Sequence, residues 1–412
     1  MHIIIAGAGI VGIATAHALL DEGYTVELID PDGFAAGASS YNAGHIAYTD
    51  ILPLAGPKVW RHLPRWLLDP LGPLAIRPSY ALAIAPWMLR FLAASTPARI
   101  EAGTQAIIAL QSLALPAWRR RLDTLGLTQK HLRQKGVLSV FGSAAGLEAS
   151  RRLAERQRKL GIAVEVLESN AAVRALEPAF SAKAAAALHY PGFVQVDDPA
   201  AVCRSVAEAV LARGAALVRQ SVVRIRPVEG GVAVEMADGD VRKCDQVVIA
   251  AGAWSKPLAA GLGDRIPLDT ERGYNVTLPK GALGLSRPVT YEGMGFVSTP
   301  LDSGDRIGGA VEFAGLTAAP NFARLDAILQ RVRPLLPDAK LDGGTRWMGF
   351  RPSLPDSLPV ISRSAASARI LYAFGHGHYG LTQAAATGEL IAQLAGQKQT
   401  AIDLSPFDAA RF

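Results

Sequence analysis

Residues 2 to 6 read HIIIA, an uninterrupted apolar run of the kind a strand buried on both faces requires. The pattern then passes through GAGIVG into a helical stretch that ends near Glu22, and TVELI (25 to 29) predicts a second strand closed by Asp30. A related pattern recurs downstream. DPAAVCRSVAEAVLARGAALV (198 to 218) has the spacing of an amphipathic helix feeding a strand, SVVRIRPVEGGVAVEMADG (221 to 239) alternates like a small antiparallel excursion, and KCDQVVIAAGAWS (243 to 255) carries a buried strand ending in Ala-Ala-Gly-Ala. Between these stretches the periodicity predicts a long amphipathic helix over 99–125, a strand over 136–141, a basic helix over 145–160 and alternating strands over 287–313. An apolar helix is expected to start near Leu381, just after GHGHYG.

A chain of 412 residues exceeds what one compact core organises, so two domains of roughly 150 to 250 residues each are expected. The element order predicts an α/β chain: a Rossmann-like dinucleotide-binding domain and a discontinuous α+β substrate domain built on an antiparallel sheet. The first is drawn from 1–48, 196–265 and 346–412, and the second, a cap over the site, from 49–195 and 266–345.

Gly7-x-Gly9-x-x-Gly12 falls between the first strand and the first helix, and Asp30 ends the second strand. Gly7 permits a tight turn, Gly9 lets backbone approach a pyrophosphate at the helix N-terminus, and Gly12 lets helix and strand pack closely. Asp30 would accept from a ribose hydroxyl. A nicotinamide enzyme would continue in regular βα units. Instead the chain runs into GASSYNAGHIAYTD (37 to 50), a small-residue loop without a strand pattern, which suits a long flavin dinucleotide lying against Ser39, Ser40, Asn42, Ala43 and Gly44. Ala251, Gly252 and Trp254 follow a strand that would return past the same cofactor, and Val223 is a further expected contact.

Composition removes several other functions. Half the residues are apolar and the net charge is +6, which excludes a disordered chain. RHLPR (61 to 65), WRRR (118 to 121) and RQRK (156 to 159) lack interleaved aromatics and read as solvated helix faces rather than a nucleic-acid track. Cys203 and Cys244 offer neither a disulfide framework nor a metal or redox spacing, so a reducing cytoplasm is the expected setting. The first twenty residues are filled by the glycine motif and not by a signal peptide. PSYALAIAPWML (78 to 89) is too short and proline-broken to span a bilayer. Residues 59–94, with Trp60, Trp66 and Trp87, leave two readings open: a cap over the site, or an interfacial surface that docks peripherally on a membrane to reach a quinone.

The N-terminal fingerprint, GASSYNAG, PLAIRP, RIGGAVEF, GFRPSLPDSLPVI (349 to 361) and GHGHYGLTQAAATGELIA (375 to 392) together resemble the FAD-dependent D-amino-acid dehydrogenases, within the glycine oxidase, sarcosine oxidase and D-amino-acid oxidase superfamily. The resemblance runs over nearly the whole chain. It implies tightly held FAD, a mobile substrate domain, and oxidative deamination of a D-amino acid with electrons passed to a respiratory acceptor. Two positions depart from the pattern: His45 stands where a glutamine is expected, and GHGHYG is richer in histidine than the loop it replaces. Both bear on substrate choice. A glycine or sarcosine oxidase releasing peroxide, and a flavin subunit of a hetero-oligomeric complex, are the rival readings.

The site follows from these stretches. Arg351 precedes Pro352, which holds it extended, and its planar fork suits a substrate carboxylate. The rival reading pairs it with Asp356 in the same turn. GHGHYG has no third ligand in range for a metal, so its glycines, Gly375, Gly377 and Gly380, read as bare backbone cradling the flavin, with His378, Leu381 and Thr382 against the cofactor and the helix N-terminus near the flavin carbonyl. His376, Tyr379 and His45 are candidates for the substrate side. Tyr274 is placed near the pocket by the resemblance, and strand packing accounts for it equally well.

Overall fold

A computed structural model of the chain describes residues 1–55, 72 and 74–412. Two large sheets organise it. The first runs Ala216–Val218, Thr25–Ile29, His2–Ala6, Gln246–Ile249, Ser367–Phe374, Val360–Ser364, parallel throughout except for the last pair. Its central strand explains the unbroken HIIIA run. Ile3 and Ile5 face one layer, with the opening helix Ile10–Asp21 and the closing helix Gly380–Ala395. Ile4 and Ala6 face the other, with the small antiparallel sheet of Val222–Val228, Gly231–Met236 and Val241–Cys244. The opening and closing helices lie in backbone contact: a Cβ on Gly388 would stand 2.6 Å from the Ala14 carbonyl oxygen.

Among the described residues the second sheet has nine strands. Eight run in the order Thr345–Ser353, Asp269–Leu278, Gly304–Phe313, Phe296–Leu301, Val289–Tyr291, Val137–Phe141, Ala186–Tyr190, Glu165–Leu167, and Leu74–Ile76 pairs with Gly304–Phe313. The helix expected over 99–125 is Pro97–Thr124, and the basic one is Ala144–Lys159.

Two elements lie away from the layers expected for them. Residues 346 onward are expected in the cofactor layer, but Thr345–Ser353 pairs along Asp269–Leu278 in the second sheet, because its strand register is satisfied there and the chain changes sheet only after Ser353. The helix Pro97–Thr124, expected in the substrate domain, packs on the closing helix instead: Trp118 is fully buried and donates from Nε1 to the Leu381 carbonyl at 2.8 Å. An indole buried with its N–H satisfied is a strong anchor.

Trp60 and Trp66 lie outside the described residues. Trp87 is not a surface anchor: it is 5% exposed, lies between Phe91 and Phe313 at ring separations of 5.3 and 5.0 Å, and belongs to the helix Ala81–Ala94, which continues through Pro86. The outer face of that helix carries Leu82 and Leu89, 91% and 68% exposed. Among the described residues no helix is long and apolar enough to cross a membrane.

Candidate active site

The glycine turn meets the end of the central strand pair. Gly7 sits at φ +110°, and a Cβ there would stand 2.4 Å from the Ala250 carbonyl oxygen and 2.8 Å from Ala251 Cα; Gly7 N–H donates to Ile29 O at 2.8 Å. Asp30 accepts from Ala8 N–H at 2.8 Å and Asp32 N–H at 3.0 Å, which fixes its carboxylate beside the turn. Burial raises its pKa, opposed by those two backbone bonds. The opening helix has no side-chain cap at Gly9 and no acid in its first turn; Ser39 Oγ takes its first amide, Ile10 N–H, and the rest of its positive end is left for an anion.

The loop over 37–50 holds itself in place with its own polar groups. Ser39 Oγ accepts from Ile10 N–H at 2.9 Å, Ser40 Oγ donates to Ala35 O at 2.7 Å, and Asn42 bridges Ser39 O and Gly44 N–H at 2.7 and 2.8 Å. Arg306 pins it by donating to Asn42 O at 2.6 Å. Ala43 and Gly44 lead into His45, so the loop presents backbone toward the helix N-terminus. Gly252 and Trp254 follow the Gln246–Ile249 strand on a short 3₁₀ turn, with Trp254 53% exposed and edge-on to Phe350 at 5.6 Å. Val223 is 52% exposed on the first strand of the small sheet.

At the other end the closing helix starts at Gly380, also without a side-chain cap or a first-turn acid. Gly375 sits at φ +86° because the chain must turn there: a Cβ would stand 2.4 Å from Leu354 Cδ1. By contrast a Cβ on Gly377 would meet only Ser353 Oγ, at 3.5 Å, and one on Gly380 only His376 Cβ, at 3.9 Å, both ordinary contact distances, so the backbone at these two glycines is uncrowded. Thr382 Oγ1 donates to His45 O at 3.1 Å and accepts from Ala47 N–H at 3.0 Å, tying the NAGH loop to the closing helix, and Leu381 is buried beneath it.

Arg351 and His378 meet at this end, and they are joined by a residue that sequence reasoning missed. Glu271 lies directly across the strand pair from Arg351, 4% exposed, with His378 Nε2 at 3.4 Å from its Oε2. The Arg351 guanidinium lies over Gly273, where a Cβ would stand 2.3 Å from Cζ, and donates to Ala310 O at 2.9 Å. Its rival partner is otherwise engaged: Asp356 accepts from Arg411 at 2.7 Å. Burial lowers the Arg351 pKa, opposed by Glu271. His378 keeps 28% of its side chain exposed; the partial burial of its ring, with Arg351 adding, lowers its pKa and keeps it neutral at pH 7.

The other candidates separate. Tyr274 lies apart from them: strand alternation puts it on the opposite face from Glu271, Gly273 and Arg351, where its hydroxyl donates to Glu312 at 2.5 Å and accepts from Asn321 N–H at 3.0 Å, in a network with Arg77 and Arg272. His376 is also turned inward, 3% exposed and bonded through Nε2 to Thr387 Oγ1 at 3.0 Å, because its ring fills the first turns of the closing helix. Tyr379 packs in an apolar cluster with Ala47, Tyr190 and Phe193. His45 bonds Thr299 Oγ1 at 2.7 Å through Nε2 and meets Phe193 edge-on; burial lowers it to about 4.

These buried rings make the fold acid-sensitive. Burial, reinforced by Arg121, lowers His17 to about 4 from 6.5, and burial lowers His376 to about 3. Below pH 6.5 the unfolded chain takes up protons that the folded chain refuses. Stability therefore falls as the pH drops toward 4, each ring removing about 1.4 kcal/mol for every pH step of one within that window. The denaturation midpoint of the holoprotein is expected to fall between pH 7 and 4.5, with part of the fall removed in His17→Gln. Equal slopes in wild type and variant would show that His17 is protonated in the folded chain.

Two helix N-termini flanked by bare glycine backbone, at the carboxyl ends of a parallel sheet, define a dinucleotide-binding protein. The chain belongs to the FAD dependent oxidoreductase family DAO, whose family model matches residues 2–394. It is 38% identical over 421 residues, covering all of this chain and 99% of the relative, to the D-amino-acid oxidase of Bradyrhizobium diazoefficiens. It is 32% identical over 414 residues to D-amino acid dehydrogenase 2 of Pseudomonas aeruginosa, covering 98% and 96% of the two chains. In fold it resembles the glycine oxidase of Geobacillus kaustophilus (TM-score 0.73, 24% identity, 100% and 98% covered) and the L-proline dehydrogenase of P. horikoshii (TM-score 0.76, 19% identity, 100% and 97% covered). The protein is an FAD enzyme. Its residues fit that cofactor: the opening helix N-terminus and Asp30 suit the dinucleotide end, and the uncrowded backbone at Gly377 and Gly380, ahead of an uncapped helix, suits the flavin end.

Proposed function

We propose that the protein oxidises D-amino acids to imino acids, which hydrolyse in water to a 2-oxo acid and ammonia or persist as cyclic imines when the substrate is of the D-proline type. The observation that carries this reading is Arg351. It is a half-buried guanidinium at the flavin end whose single hydrogen bond among the described residues goes to Ala310 O, with Asp356 already engaged by Arg411. Such a fork is held in reserve for a carboxylate. The D-configuration is supported by the relatives' names. FAD, when bound, supplies the two-electron acceptor. The chain's own residues do the rest: Arg351 grips the carboxylate and sets which face of Cα is presented, the Gly380 helix end offers a positive dipole, and the burial of this corner of the sheet excludes water.

The electrons then pass to a respiratory quinone, a reading supported by the dehydrogenase relatives and by the exposed Leu82 and Leu89, an apolar face suited to peripheral contact with a bilayer. The 38% identity to an oxidase favours a second reading in which oxygen is the acceptor. Under anaerobic conditions D-amino acids are expected to bleach the flavin's visible band and their L-enantiomers to leave it. Bleaching by glycine or sarcosine alone would overturn the D-amino-acid reading, and a stoichiometric peroxide yield in air would overturn the quinone one.

A further inference from the structure

Glu271 is an unusual residue to find where it is. It is 4% exposed and sits within a strand. Its Oε2 has no direct hydrogen-bond partner among the described residues, and Ser353, on the same sheet face two residues beyond Arg351, is the one hydroxyl near enough to steady its carboxyl. His378 Nε2 is 3.4 Å away but off hydrogen-bond geometry. An ionised carboxylate left without donors in a desolvated site is costly, and a strand interior gives it no local reason to be there. Arg351, directly opposite, offsets part of the cost by charge alone.

That balance changes when a ligand arrives. A carboxylate engaging Arg351 cancels the positive charge that Glu271 faces, leaving Glu271 in need of a cation and its Oε2 in need of a donor. An α-amino acid brings both in one molecule, with its ammonium one bond beyond the carbon that bears the carboxylate. A hydroxy acid brings no charge.

Resting on the proposed amino-acid chemistry, we infer that Glu271 is the anchor for the substrate's ammonium group, with His378 and Ser353 as its neighbours, so that Arg351 and Glu271 together read the zwitterion. The groups facing Glu271 from the elements around it are Arg351 and Ser353 on the adjoining strand and His378 on the glycine loop. Asp269, two residues along its own strand, is engaged by the Tyr80 hydroxyl at 3.0 Å. Burial raises the Glu271 carboxyl, with Arg351 and then Ser353 opposing, and the neutral His378 ring adds no positive charge that would repel an ammonium. The site is therefore selective for amines over alcohols at the same carbon.

One further consequence separates this role from simple packing. The ammonium must lose a proton before the nitrogen lone pair can form the imine, and a carboxylate beside it holds that proton on. Removing Glu271 should therefore weaken binding and, at the same time, move the alkaline-rising limb of kcat to lower pH.

The test uses FAD-loaded wild type and Glu271→Gln, with binding read from perturbation of the flavin absorbance. The probe pair is 2-aminoisobutyrate, which has no Cα–H and so cannot be oxidised, and isobutyrate, which differs in lacking the amine. Wild type is expected to prefer 2-aminoisobutyrate by roughly tenfold or more, the worth of a charged hydrogen bond. Glu271→Gln should bring that ratio near one with isobutyrate binding held or tightened. Glu271→Asp should recover part of the preference. An unchanged ratio, or equal weakening of both ligands, would overturn the assignment, the second pointing to a structural role through Arg351. Because neither probe reacts, the result does not depend on which enantiomer the enzyme oxidises, and D-amino acids failing to bleach the wild type would remove the proposed substrate while leaving this measurement to stand or fall alone.

Discussion

Replacing Arg351 with alanine is expected to lower kcat/KM for a D-amino acid by roughly a thousandfold, the cost of truncating one partner of a buried charge pair, while the flavin stays bound. Both halves follow from geometry. Among the described residues the guanidinium makes one hydrogen bond, to Ala310 O, so little of the fold hangs on it. It lies over Gly273, and the absence of a side chain there leaves room for the fork. Arg351→Lys keeps the charge without the planar pair of donors and should recover only part of the loss. The change should fall mostly on KM at low substrate and persist in kcat, because a carboxylate held loosely also lets Cα turn away. Stopped-flow reduction of the flavin separates the two. Unaltered kcat/KM would place the carboxylate elsewhere, and an apoprotein would make Arg351 a structural residue.

The second large effect is at the opposite end of the cofactor. Gly7→Val should yield protein without FAD. Its φ of +110° is strained for any L side chain, and the added Cβ would meet not a flexible side chain but the Ala250 carbonyl and Ala251 Cα, so two strand ends must separate. Strain of this kind costs on the order of 1–3 kcal/mol, and the displaced backbone is the very surface that must approach the dinucleotide. Gly23→Ala is the control: its φ is +79°, yet nothing lies within 4 Å of the new Cβ, so it should carry the strain and keep its FAD. The ratio of flavin to protein absorbance after gel filtration reads both. A Gly7→Val protein with full flavin would refute the account of this turn.

The two ends of the site are not equally legible in the sequence. The dinucleotide end is readable because Gly7, Gly9, Gly12 and Asp30 stand within one βαβ unit, so spacing along the chain is spacing in the molecule. The substrate end is assembled across a strand pair whose members lie far apart in sequence. Alternation along ERGYNVTL shows that Glu271 and Tyr274 face opposite ways, but not which face meets the cleft; only the pairing of Glu271 with Arg351 decides that. Sequence reasoning favours the aromatic Tyr274 and passes over Glu271. The available signal is a carboxylate within a strand that is buried throughout from Thr270 to Val276, beside Arg272, whose charge faces Glu312 instead. GHGHYG reads from its glycines as bare backbone, but nothing in that pattern separates its histidines. They diverge, one into the closing helix and one into the cleft, because a 3₁₀ turn over Gly377–Tyr379 rotates successive side chains apart.

The backbone contact between Gly388 and Ala14 sets an order of events during synthesis. The opening helix leaves the ribosome early, but the surface it needs is supplied by residues 380–395, and the central sheet is not completed until Val360–Ser364 and Ser367–Phe374 arrive. Contacts of such long sequence separation form late. The nucleotide-binding turn is thus among the first segments translated and among the last to become rigid, so cofactor loading waits for nearly the whole chain, and a ribosome stalled before residue 360 would carry a nascent chain unable to retain flavin.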